Sequence, residues 1–394
     1  MNVLMLEWNS FGNEDIKEAF TVCGHTVSSV FFDQKSVLYD DKVKDILRPE
    51  IEKNKPDFVF GFNYFPPVAS LCNDLNVKYV AWVYDNPYVL LYSYTVIYPT
   101  NYIFVFDKSQ YNEFRANGIP TFYYLPLAAN TDRLTKMVTN PDGLRTYRAS
   151  SLRNRTDIAF IGSLYTEDHK FYDKLTSISD YTRGYLEGLM AAQKQIYGMN
   201  FIEGLLPSEI IEDMNQDLML KPGINGCETL EYMMSQYVIN RQLTATERYE
   251  LLSKVGAKYK FDLYTHDKNF RMDGCINHGP ADYYDEAPYI FNSTPINLNI
   301  TLRSIHSGIP LRAFDILGAG GFLLTNYQAD FDDCYVSGED YVFFESPDDM
   351  MAKIDYYLSH EDERKQIAEN GFRRTAESHT YINRVCKIVE IVKN

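Results

Sequence analysis

Short apolar runs that alternate with helix-patterned stretches constrain this chain more than any other feature. Residues 2–8 (NVLMLEW), 57–62 and 78–84 (KYVAWVY) are strand-length and apolar almost throughout. Helical periodicity separates them at about 14–23, 43–54 and 68–76. Strands with no polar alternation are buried on both faces, and joining them through helices requires a parallel sheet. Strands at 26–32, 102–106 and 122–126, with a helix at 109–117 stopped by Gly118, complete one doubly wound domain near residue 130. Residues 140–156 lose the periodicity and collect Pro, Gly, Ser and the arginines Arg145, Arg148, Arg153 and Arg155. They read as a linker, with the arginines either facing an anion or simply solvated.

From Asp157 the alternation begins again. A strand at 157–161 is followed at once by Gly162-Ser163, and strands are expected at 259–265, 275–279, 291–300, 322–325 and 341–344. Helices are expected at 282–290, at 350–358, at 361–369 with Asn370-Gly371 as its stop, and at 381–392. Residues of about 166–253 are almost wholly helical and read as an insertion, too long for one crossover. The expected organisation is therefore a first α/β domain over 1–145, a second over 157–375 and a C-terminal helix over 378–394 that packs back on the first domain.

Composition narrows the function. The 394 residues are 45% hydrophobic, enough for two full cores, and no stretch approaches the roughly twenty apolar residues of a membrane span. Glu7 interrupts the opening apolar run, so no secretory leader is expected and the chain reads as cytoplasmic. A net charge of −16 argues against nucleic acid as a partner, because phosphate affinity comes from clustered Lys and Arg. The cysteines at 23, 72, 227, 275, 334 and 386 form no CxxC pair, which fits reduced thiols rather than a zinc site.

The residues that carry chemistry cluster in 303–326, RSIHSGIPLRAFDILGAGGFLLTN. This reads as loop, helix, tight turn and buried strand, with Pro310 as first helical residue and Gly320-Gly321 closing a helix of about ten residues. The first turn of a helix offers unpaired N–H groups and the positive end of the dipole to a phosphate or carboxylate. Arg312 in that turn opposes the dipole, which points to a nearby anion, or else it pairs with Asp315 at i, i+3. Asp85 follows a strand end, where ligands of α/β sheets gather, as a candidate base or acceptor-binding group, or forms an Asx turn before Pro87. His266 likewise ends a strand, touching a ligand or closing a turn.

The order IAFIGSLY, FDLYTHD, INHGPADYYDEAPYIFN, SGIPLRAFDILGAGGFLLTN and DYVFFESPDDMMAKIDYYL resembles the nucleotide-sugar domain of GT-B glycosyltransferases, most of all the bacterial spore-maturation CgeB-like proteins. The resemblance covers about 157–392, and is looser over 1–150, where WNSFG, WVYDNP and YLPLAANTDR carry it. It implies two Rossmann-like domains facing across a cleft, with a nucleoside diphosphate sugar, preferably a UDP-sugar, on the second and a protein or glycan acceptor on the first. It implies that Asp315 binds the ribose, and that Ser307, Gly308, Ile309, Pro310 and Leu311 wrap the diphosphate. Gly162 and Ser163 would approach the phosphates, and His278 and Gly279 the base, while Arg312, helped by Arg303 or His306, neutralises charge. Many retaining relatives place a glutamate eight positions before the ribose-binding acid, where this chain has Ser307. No DxD-type pair follows a strand, so transfer without a metal or other cofactor is expected, with Arg312 stabilising the leaving group and Asp85 as base if the reaction inverts. A non-catalytic nucleotide-sugar-binding or surface-assembly protein, and a sugar-nucleotide epimerase, are the alternatives.

Overall fold

The structure, a computed structural model, describes residues 1–32, 42–143, 156–166, 170–223 and 225–393. Arg145, Arg148, Arg153 and Arg155 lie outside the described residues. The chain forms two compact units, Met1–Ala128 with Pro222–Thr229 and His379–Asn394, and Ala129–Lys221 with Leu230–Ser378.

The first unit holds β1 (Asn2–Glu7), β2 (Thr26–Phe31), β3 (Phe58–Phe62), β4 (Lys78–Val83), β5 (Asn101–Val105) and β6 (Phe122–Tyr124) in the order β2-β1-β3-β4-β5-β6. All neighbours are parallel. Helices α1 (Asn13–Val22), α2 (Lys42–Asn54), α3 (Pro66–Asp74) and α4 (Lys108–Ala116) link them. Every residue of β3 is buried, whereas no residue of the edge strand β2 is fully buried, as a central position against an edge one requires.

In the second unit, β7 (Ile158–Ile161), β8 (Phe261–Tyr264), β9 (Cys275–Asn277), β10 (Ile296–Asn299), β11 (Leu323–Asn326) and β12 (Val342–Phe344) stand in the order β12-β11-β10-β7-β8-β9, again all parallel. Its longer helices are α5 (Thr131–Thr139), α6 (Asp180–Lys194), α7 (Ser208–Leu218), α8 (Asn240–Gly256), α9 (Ala287–Ser293), α10 (Leu311–Gly318), α11 (Pro347–Ser359) and α12 (Glu361–Ser378). The last helix, α13 (Tyr381–Lys393), belongs to the first unit and packs along α1. Buried Arg384 fixes it by donating to the carbonyls of Pro126 and Leu127 at 2.7 and 3.2 Å. At Gly12 the φ of 83° and the Tyr381 hydroxyl, 2.7 Å from where a Cβ would sit, both require glycine.

Four local expectations change. The unit boundary falls after Ala128 rather than near 145, because α5 turns Met137 into a cluster with Tyr289 and Ile290 of α9 and sets Leu134 against Gly318 of α10. The helical region divides in two. Residues from Leu175 to Ile239 share their own apolar core, whereas α8 delivers Leu251, Leu252 and Val255 to the core of the main sheet. Asp282 does not begin a helix, because its carboxylate accepts the N–H groups of Tyr284 and Asp285 in a turn; α9 starts at Ala287 and β10 only at Ile296. Gly371 does not stop α12, which runs on to Ser378; a Cβ there would lie 2.3 Å from the Asp340 carbonyl oxygen, so glycine permits close packing.

Candidate functional site

Around the centre of the second sheet, β8 and β9 lie on one side of β7, and β10, β11 and β12 on the other. Connections diverge at such a point and open a crevice beyond the carboxyl ends of the two central strands. Gly162-Ser163 leaves β7 there, and β10 leaves through 300–310 into α10. Pro310, with φ −69° and ψ 151°, is the residue before the helix rather than its first residue, and no side chain caps the amides that follow. The loop is held from behind. Gln328 donates to the carbonyls of Ile305 and Gly308, both at 3.1 Å, the Asp330 amide to that of Ser307 at 3.0 Å, and Ser304 Oγ bonds the Gln236 carbonyl at 2.9 Å. Carbonyls engaged with the protein leave a segment whose shape is set before any ligand arrives.

Arg312 extends from α10 to β7. Its Nη1 donates to Asn299 Oδ1 at 3.1 Å, and its Nη2 is 2.6 Å from where a Cβ on Gly162 would lie. Asn299 is itself immobilised by Thr301 and Thr325, whose hydroxyls accept from its Nδ2 at 3.1 and 2.9 Å. Arg248, buried on α8, binds the Ile300 carbonyl through Nε at 3.1 Å and the Ser163 carbonyl through Nη1, tying the two loop starts together. Both guanidinium groups stand over Phe160, at 5.4 Å for Arg248 and 5.5 Å for Arg312. Burial, and then the Arg248 charge, push the Arg312 guanidinium down from its ordinary value to about 10. Among the described residues Arg312 makes no ion pair, and Tyr165 and Asp315 offset its charge only in part, so an anion here gains a cation with charge to spare.

Asp315 does not pair with Arg312 in a hydrogen bond; it is buried one turn further along α10, where it accepts from the Tyr283 hydroxyl at 3.1 Å. Tyr283 and Tyr284 meet edge to face at 4.9 Å, and the Arg133 guanidinium lies 4.9 Å from the Tyr284 ring. His278, just past β9, puts Nε2 2.7 Å from buried Asp262 and stacks on Tyr264 at 4.7 Å. Gly279 takes a φ of 80° while its amide donates to Asn277 Oδ1. His306 brings Nε2 to 3.4 Å from Gln236, in a π-helical segment (Met234–Ile239) that precedes α8.

Gly162, Ser163 and Arg312 thus meet at the carboxyl end of β7, and the segment His306, Ser307, Gly308, Ile309, Pro310 and Leu311 leads directly into Arg312. His278 and Gly279 stand at the end of the outermost strand of the sheet. Asp85 belongs to the other unit, exposed beyond β4, and accepts from Asn63 Nδ2 at 2.7 Å. Arg303 cannot serve an anion, since its Nε and Nη2 hold Glu247 at 2.8 and 2.6 Å and its guanidinium lies 4.2 Å from the Tyr197 ring. Arg248, Asn299, Tyr283 and Gln328 join the site without a local signal. Only the polar Asn299 in a strand that is buried throughout hinted at a special role. Among the described residues, no group of three or more His, Cys, Asp or Glu is placed to hold a metal ion, and no helix is long and apolar enough to cross a membrane.

Residues 242–390, which include Arg248, Arg312 and Asp315, match the model of a glycosyl transferase-like family. No curated protein sequence matches the chain. Its structure is similar over its whole length to a glycosyltransferase of Rickettsia africae (12% identity, TM-score 0.53, 100% of this chain and 97% of the other). It is similar likewise to a sucrose-phosphate synthase of Thermosynechococcus elongatus (8%, 0.56, 100% and 98%). HepE of Anabaena, solved with UDP and glucose, is a third (8%, 0.54, 100% and 99%). At such identities the likeness defines the fold, which is GT-B, with six parallel strands in each α/β unit. The family match and the fold together support a glycosyltransferase.

Proposed function

We propose that the chain is a metal-independent glycosyltransferase of the CgeB-like type, acting in the cytoplasm, that moves a sugar from a UDP-sugar to a protein or glycan acceptor. The observation that carries this is the Arg312 guanidinium, held without an ion pair against Gly162, at the start of an uncapped helix and at the strand-order switch of the second sheet. In this reading the diphosphate lies on the first turn of α10 between Arg312 and Gly162-Ser163, within the segment His306 to Leu311. Asp315 receives the ribose hydroxyls, exchanging its bond to Tyr283 for bonds to the nucleotide, and His278-Gly279 borders the base. HepE, of the same fold, was solved with UDP and glucose, which favours uracil for the base.

Transfer breaks the bond from the anomeric carbon to the β-phosphate oxygen and joins that carbon to an acceptor oxygen. The departing diphosphate gains negative charge, which fixed N–H groups and Arg312 stabilise without reorganising. If the configuration inverts, Asp85 takes the acceptor proton, with Asn63 holding its carboxylate. If it is retained, Ser307 offers no carboxylate, and the leaving phosphate takes the proton. Purified protein given UDP-glucose should slowly release free glucose at a rate that EDTA leaves unchanged. Release that EDTA abolishes and magnesium restores would refute metal independence, and tight binding with no release would indicate a non-catalytic nucleotide-sugar binder.

A further inference from the structure

The positive charge of the crevice does not end at Arg312. Arg241 and Arg248 are seven residues apart on α8, two turns along one face, and the Tyr165 ring stands between their guanidinium groups at 5.8 and 5.0 Å. Arg248 then shares Phe160 with Arg312, so a row runs Arg312, Phe160, Arg248, Tyr165, Arg241. Tyr165 has a left-handed φ of 55°, and its amide bonds Ser163 Oγ at 2.9 Å, which fixes the ring that Arg241 faces.

The members differ in what they hold. Arg248 is bonded to the carbonyls of Ile300 and Ser163, and Arg312 to Asn299. Among the described residues Arg241 has no hydrogen bond and no ion pair; its Nε is buried without a partner, and only the rings of Tyr165 and Tyr237 adjoin the guanidinium. The fully buried arginines Arg303 and Arg384 are satisfied, by Glu247 and by two carbonyls, whereas half-buried Arg241 is not. A buried donor left unmade is costly, so one retained in a line of cations beside a binding crevice points to an anion that comes with a ligand.

The order of the row indicates which part of the ligand that is. Asp315, assigned to ribose, lies along α10 past Arg312, while the row leaves Arg312 for a different helix. A diphosphate at Arg312 therefore has the ribose on the α10 side and the transferred sugar toward Tyr165 and Arg241. A neutral hexose offers a guanidinium fork only uncharged hydroxyl acceptors, whereas a carboxylate fits it with two parallel, charge-assisted bonds. We propose that Arg241 receives a carboxylate on the transferred sugar, and that the donor is a nucleoside diphosphate uronic acid. This rests on the reading of the crevice as a nucleoside diphosphate site.

The test is calorimetric titration of UDP, UDP-glucose and UDP-glucuronate into the wild-type protein, Arg241→Gln and Arg241→Lys at fixed ionic strength. The wild type should bind the uronate donor about tenfold or more tighter than UDP-glucose, the worth of one charge-assisted contact. Arg241→Gln should erase that preference while leaving UDP affinity unchanged, and Arg241→Lys should keep part of it. Equal wild-type affinity for the two donors, or a preference that survives Arg241→Gln, overturns the assignment. If UDP binds and no uronate preference exists, this inference alone fails; if UDP itself does not bind, the nucleotide reading fails and takes this one with it.

Discussion

Replacing Arg312 with methionine keeps the apolar stem and removes the guanidinium, and the two consequences run in opposite directions. In the folded protein without ligand, Arg312 carries its charge under burial and beside Arg248, which lowers its pKa to about 10. Each pKa unit corresponds to about 1.4 kcal/mol, and after discounting for the solvent that still reaches this side chain the charge costs about 1–2 kcal/mol of folding stability. The folded state binds this proton less tightly than the unfolded chain, so the cost is complete below about pH 10 and vanishes as the pH rises past the ordinary pKa of a guanidinium. Methionine removes that cost but also the bond to Asn299, worth about 1 kcal/mol. The net change in stability is therefore near zero or favourable, a melting temperature unchanged or raised by at most about 3 °C. Binding behaves otherwise. Losing one charge-assisted contact to a phosphate costs about 1.5–3 kcal/mol, a dissociation constant for UDP about 10- to 150-fold higher. Differential scanning calorimetry and titration calorimetry on the same preparations give both numbers. An unchanged dissociation constant with a melting temperature lowered by several degrees would show that Arg312 is a structural cation, and would refute its role as an anion ligand.

Two further substitutions probe the residues around it. Gly162→Ala places a Cβ 2.6 Å from Arg312 Nη2 and should displace the guanidinium, so that UDP affinity falls about as far as in Arg312→Met, by 10-fold or more; wild-type affinity would mean that the guanidinium can move aside without consequence. Asp85→Asn should lower turnover by about 100-fold or more with the dissociation constant for UDP unchanged, as loss of a general base requires; unchanged turnover removes Asp85 from the reaction.

The strands were legible because parallel sheets bury both faces and leave unbroken apolar runs such as FVFGF, a signal carried within a few residues. Boundaries that depend on distant atoms were not. Gly371 has the composition of a helix stop, yet the nearby carbonyl of Asp340 makes it a packing residue, and no local rule distinguishes the two. Similarly, α8 carries the same helical period as the insertion before it, and only the packing of Leu251, Leu252 and Val255 joins it to the main core. The crevice was legible where it is local, in Gly162-Ser163 and in the spacing of Arg312 and Asp315 on one helix. It was not where residues far apart meet. Arg303 read as a spare cation because its partner Glu247 lies 56 positions upstream, and Arg248 looked like any charged residue of a helix until the Ile300 and Ser163 carbonyls surrounded it.

A thermal-shift series with UDP, GDP, TDP, CDP and their sugars tests most directly whether the second unit holds a nucleoside diphosphate sugar. A ligand at a hundred times its dissociation constant adds about 2.7 kcal/mol of stability, a rise of several degrees in the melting temperature. One base, uracil, should produce that rise, as UDP or a UDP-sugar, and the effect should be much reduced in Arg312→Met. No shift with any nucleotide at millimolar concentration, or equal shifts in the wild type and Arg312→Met, would contradict it.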